Sequence, residues 1–141
     1  MTDRRRLTRW QIAGRATRSA QNLLLALAGA ASILWTPNTI QGELGPWLTW
    51  TWAVLLALGG SVAAFGVATD KLRIEWPACW FVAAGIAIYA STAWAITLAG
   101  APTRSTQALV LTAVCVAWVS RATDLGHRAA VARMAHDARR G

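Results

Sequence analysis

Charge is scarce in this chain. Only 14% of its 141 residues are Asp, Glu, Lys or Arg, against about 25% in an ordinary soluble domain. The deficit falls in long windows with no charged residue at all, which excludes a typical soluble core and points to lipid. Acids are the rarer sign, six against fourteen basic residues. In a soluble protein that excess suggests nucleic acid. Here most of it sits at the two ends beside apolar runs, where cytoplasmic retention and anionic headgroups account for it, so no nucleic-acid partner is expected.

Chemistry-bearing residues are equally sparse. The two cysteines, Cys79 and Cys115, lie 36 positions apart inside apolar runs. They have neither metal-ligand spacing nor an extracellular loop to staple, so free thiols acting as small apolar residues are expected. The two histidines, His127 and His136, fall on opposite faces of a helix and cannot share a metal. No nucleophile elbow, phosphate-cradling glycine loop or His-Glu-x-x-His is present. Ser61, Ser91, Thr92 and Thr112 have no base near them in sequence and are expected to bond their own helix or a neighbour. The reading is therefore no enzyme, with no catalytic residue, no cofactor and no metal.

What the chain does have is apolar length. Trp76 to Ala99 carries no charge and makes a helix of about 35 Å, enough to cross a hydrocarbon core of about 30 Å with some tilt. Trp47 to Ala68 is a second such run, with Pro46 at a position that suits a helix start and Trp47, Trp50 and Trp52 grouped as an interfacial belt. Ala20 to Trp35 and Ser105 to Ser120 are shorter, about 24 Å each. The first also has the basic flank and small residues (Ala28, Ala30) of a signal peptide, but it runs on to Trp35 and further spans follow, which favours a retained helix. The expectation is an all-α integral membrane protein of four transmembrane helices, spans 20–35, 47–68, 76–99 and 105–120. These form a domain over 20–120, between basic cytoplasmic segments 1–19 and 121–141.

Between the runs, Thr36-Pro37-Asn38 ends the first helix and residues Thr36 to Gly45 read as a loop. Asp70, Lys71, Arg73 and Glu75 form a charged loop before Trp76 and Pro77. Leu7, Trp10 and Gly14 recur at helical spacing, so residues 1–19 read either as an interfacial helix or as a frayed basic tail. After Ser120, the pairs Asp124 with Arg128 and Arg133 with Asp137 at spacing four would support a helix continuing into water, which Gly126 weakens. With four spans, both termini and the second loop share one side and hold thirteen of the basic residues, leaving Arg104 alone on the other. The positive-inside rule then places both termini in the cytoplasm, in the cytoplasmic (inner) membrane.

Two sets of small residues read as packing faces. Cys79, Ala83, Ala87, Ser91, Ala95 and Ala99 recur every fourth residue as a ridge, and Gly59, Gly60, Ala63 and Ala64 form a second face. Small side chains let helix backbones approach closely, and van der Waals contact drives association where lipid gives no hydrophobic incentive. A homo-oligomer is expected. The spans contain no acid or base, although a charge at the bilayer centre, costing about 2.5–3.5 kcal/mol on insertion, is what ion and proton pathways retain. Small four-helix multidrug transporters depend on a glutamate in the first span; this chain has Gln21 and Asn22 there, which argues against coupled transport.

The segment Lys71-Leu72-Arg73-Ile74-Glu75-Trp76-Pro77, followed by Ile88-Tyr89, resembles small multispan membrane proteins of actinobacterial phages, over about residues 45–121. Those are often taken to be holins. The resemblance implies oligomerisation in the cytoplasmic membrane to open it for endolysin and permit host lysis. The alternative is a non-enzymatic, membrane-resident interaction protein that binds a membrane or phage protein, for superinfection exclusion or lysis regulation.

Overall fold

The computed structural model describes residues 9–35 and 38–138. Expectations that fall on Asp3, Arg4, Arg5, Arg6, Leu7, Thr36, Pro37, Arg139 and Arg140 lie outside the described residues, as do those on the side chains of Trp10, Glu43, His136 and Asp137. The described chain is helical throughout, in the order α1 (Arg9–Leu34), α2 (Asn38–Ala68), α3 (Leu72–Leu98), a short 3-10 turn at Pro102–Arg104, and α4 (Ser105–Asp137). Three segments are long and apolar enough to cross a membrane: Trp47–Ala68, Leu72–Leu98 and Pro102–Ala135. α1 is not among them, since Arg9, Arg15 and Arg18 occupy its first half.

Several boundaries differ from the sequence reading. α1 is one uninterrupted helix of 26 residues, so positions 9–19 continue the apolar run as helix rather than forming a separate tail. Most of the expected loop from Thr36 to Gly45 is helical from Asn38 up to Gly45. Gly45 breaks α2 there with φ 71°, a left-handed value open to glycine, and Pro46, which has no N–H to leave unpaired, starts the long segment. The charged loop is shorter than it reads. α3 starts at Leu72, so Arg73 and Glu75 lie in its first turn and Pro77 lies inside the helix.

Two matching turns reverse the chain. After α3, Gly100 takes φ 111°, while the N–H groups of Gly100 and Ala101 donate to the Thr97 and Ile96 carbonyls, each at 3.3 Å. After α2 the same pattern forms with Asp70 at the left-handed position, φ 56°. Its N–H donates to Val67 at 3.4 Å and that of Lys71 to Gly66 at 3.0 Å. Both satisfy terminal helix carbonyls with a single left-handed residue, usually glycine.

Successive helices pack in order, α1 on α2, α2 on α3 and α3 on α4, but α1 and α4 do not close the ring by backbone approach. The core therefore centres on α3. Cys79, Val82, Ala83 and Ile86 meet Trp52, Ala53 and Leu56 of α2 on one side and Trp118, Ala122 and Leu125 of α4 on the other. Outside this core the surface is as apolar as the interior, with Leu24, Leu27, Leu58, Phe81 and Val116 each more than half exposed. An apolar belt of that extent has a favourable environment only in lipid or against another protein.

Candidate functional site

Glycine decides how closely these helices approach. A Cβ added to Gly60 would stand 2.7 Å from the Ala26 nitrogen of α1, and one on Gly29 would stand 2.5 Å from the Ala57 nitrogen of α2. On the other side of α2, a Cβ on Gly59 would meet Val82 of α3 at 3.0 Å, and one on Gly66 would meet the Glu75 nitrogen at 2.8 Å. The second packing face read from the sequence is thus wholly buried, Gly59, Gly60, Ala63 and Ala64 alike, but it serves two partners. Gly59 and Gly60 are adjacent, about 100° apart around the axis, so one turns to α3 and the other to α1. Gly29, Gly66 and Gly85 belong to the same system and were not singled out. Their signal in the sequence is only that each is a glycine within an apolar helix.

The ridge along α3 behaves differently. Cys79 and Ala83 are buried between α2 and α4, whereas Ala87, Ser91, Ala95 and Ala99 are exposed. A spacing of four advances about 40° per step beyond a full helical turn, so five steps carry the row round to the opposite side. The face α3 buries instead follows mixed spacings of three and four, through Cys79, Val82, Ala83, Ile86, Ala90 and Ala93. The ridge is therefore intramolecular contact at its first two residues and outward-facing surface at the other four.

One end of the molecule collects the charge. Arg15 of α1 donates to Asp70 at 2.6 Å in the α2–α3 turn, an exposed contact. Arg121 of α4 donates to Glu75 of α3, whose side chain is buried, and the guanidinium also lies beside the Cys79 thiol. Glu75 is therefore removed from the charged surface it was assigned to, because the early start of α3 turns it toward α4. Asp70, Lys71 and Arg73 stay exposed. Among the described residues, the ion pairs are these two, both between elements. The spacing-four pair Asp124 with Arg128 does not form, as suits an exposed pair worth a few tenths of a kcal/mol.

At the opposite end, polar contacts link α3 to α4. Arg104 donates to Gln107 at 3.2 Å, Gln107 to the Tyr89 hydroxyl at 2.7 Å, and the Tyr89 ring stacks on Trp52 at 4.8 Å between centroids. Trp94 of α3 also donates to Thr112 Oγ1 of α4 at 3.0 Å. Thr112, Ser61, Ser91 and Thr92 each donate to a carbonyl one turn back in their own helix. Their hydroxyl protons are thus spent on structure. Cys79 and Cys115 are free, and the Cys115 thiol donates to the Ala83 carbonyl at 3.6 Å.

The arrangement is one of fixed helix contacts, a charged end and an outward row of small residues. Compared with protein-family models, curated proteins and solved structures, the chain matches none.

Proposed function

We propose that this is a protein of the cytoplasmic membrane, with four spans and both termini inside, that acts by self-association and opens the membrane in the manner of a holin. Four spans require α1 to cross, with Arg18 reaching back to the headgroups along its aliphatic stem. The half-exposed Leu23, Leu24 and Leu27 suit that placement, since water would be a poor solvent for them. The distribution of basic residues, thirteen against Arg104 alone, supports the orientation.

The observation that carries the self-association is the outward part of the α3 ridge. Ala87, Ser91, Ala95 and Ala99 are exposed in a single copy, and a row of small side chains permits close approach of a second helix. On induced expression, the membrane potential collapses abruptly and co-expressed endolysin is released. Ala87→Leu and Ser91→Leu, both outward-facing, delay or abolish lysis without changing the thermal stability of the purified protein. Unchanged potential and growth on full expression would overturn the reading. The alternative, a membrane-resident protein that binds a partner in superinfection exclusion or lysis regulation, draws on Lys71 and Arg73. Both are exposed and have no acid partner among the described residues.

A further inference from the structure

Because α1 and α4 do not meet closely, a cleft runs between them. Its section nearer the charged end, about 460 Å³, is lined by Thr17, Gln21, Leu24 and Trp118 among others. The remoter section, about 480 Å³, lies between Ala28, Ala31, Tyr89 and Leu111. Leu25 and Val114 line both, so the two sections adjoin end to end along α1. From Thr17 to Trp35 the cleft follows α1 for about 27 Å, most of the thickness of a hydrocarbon core. Its walls are almost wholly apolar, and its few polar side chains at the charged end are Thr17 and Gln21.

A cation stands at that end. Arg18 is seven residues before Leu25 and fourteen before Ser32, both cleft residues, so the three share one stripe of α1. Two other arginines at this end are engaged, Arg15 with Asp70 and Arg121 with Glu75, while the exposed Arg73 stands on α3, which does not line this section. Arg18 spends its Nε on the Gly14 carbonyl at 3.0 Å and has no acidic partner among the described residues. An apolar slot open along its length, with an unpaired guanidinium on its own stripe just beyond its polar end, is complementary to an anionic amphipath.

We propose that the cleft between α1 and α4 binds one anionic phospholipid, its acyl chain along Leu24, Leu25 and Val114 and its phosphate on Arg18. This rests on membrane placement but not on lysis. The lipid supplies the contacts that α1 and α4 do not make with each other, so it belongs to the folded unit rather than to the surrounding bilayer.

The test uses the full-length protein in detergent, incubated with phosphatidylglycerol or phosphatidylcholine of identical acyl chains, with bound lipid read by native mass spectrometry. Wild type retains phosphatidylglycerol over phosphatidylcholine by roughly fivefold, the ratio expected of one arginine near an anionic group. Arg18→Gln brings the two lipids to parity while still retaining both. Val114→Trp fills the slot and loses both, whereas Leu23→Trp, on the exposed side of α1, retains them. Should Val114→Trp fail to fold, the Arg18→Gln comparison decides alone. Equal retention of the two lipids by wild type, or an unchanged preference in Arg18→Gln, overturns the proposal. So does loss of dimer mass in Val114→Trp without a change in lipid, which would give the cleft to a second copy. A protein that stays soluble and monomeric without detergent would instead defeat the membrane placement itself.

Discussion

Glu75 is the residue whose position costs most and therefore needs most from its neighbours. A carboxylate removed from water loses several kcal/mol of hydration, which Arg121 offsets only while both partners are present. Removing one should cost more than removing both. Arg121→Leu leaves an unpaired buried acid and is expected to lower stability by about 3 kcal/mol, while Glu75→Leu with Arg121→Leu recovers most of that loss. Thermal melting of the single and double variants in one detergent checks this. Equal loss in both would mean that the pair is effectively solvated. Asp70 illustrates the opposite economy. It takes a left-handed conformation that glycine adopts more readily, and its carboxylate holds Arg15, tying α1 to the α2–α3 turn.

At the scale of the element, α2 is the spacer that sets the distances to both neighbours. Its glycines permit backbone contact that no larger residue allows, so substitutions at them act on helix docking rather than on helix propensity. Two glycines of α1 separate these effects. Gly14 has nothing within 4 Å of an added Cβ, and Gly14→Ala should stabilise by about 0.5–1 kcal/mol through helix propensity alone. Gly29 faces the Ala57 nitrogen at 2.5 Å and the Ala53 carbonyl at 2.6 Å, and Gly29→Ala should destabilise by about 1–3 kcal/mol despite the same gain in propensity. Melting temperatures of the two variants moving in opposite directions is the expected result. Gly126 in α4 has a similar reason to exist, because Trp76 of α3 lies over it with Nε1 3.0 Å from where a Cβ would be. The glycine that weakens α4 as an isolated helix is the one that lets it seat against α3.

For the whole molecule, the four-span arrangement makes a prediction that three spans do not share. A protease site inserted between Ala101 and Pro102 should be cut from outside intact spheroplasts. Sites fused before Met1 and after Gly141 should be cut only after permeabilisation. With three spans, one terminus would be open to external protease and the other protected. α4, 33 residues and about 50 Å long, exceeds the hydrocarbon thickness. In the proposed four-span arrangement its last turns, carrying Arg128 and Arg133, would stand clear of the membrane on the side that holds the Arg15–Asp70 and Glu75–Arg121 contacts.

The all-helical class, the long apolar segments and the gathering of basic residues away from them were legible in the residues alone. Hydropathy and charge are summed along the chain and need no knowledge of which helix touches which. The buried state of Gly59, Gly60, Ala63 and Ala64 was legible for the same reason, since only small side chains leave a helix face that another backbone can reach. Which way a face points was not. A row at spacing four drifts around the helix, so only the packed structure shows that Cys79 and Ala83 are inside while Ala87, Ser91, Ala95 and Ala99 are outside. Nor could the pairing of Glu75 with Arg121, 46 positions apart, or of Arg15 with Asp70, 55 apart, be read from local spacing. Those contacts, and the cleft left where α1 and α4 stay apart, depend on relative rotation and separation of whole helices, quantities that only side-chain packing between them determines.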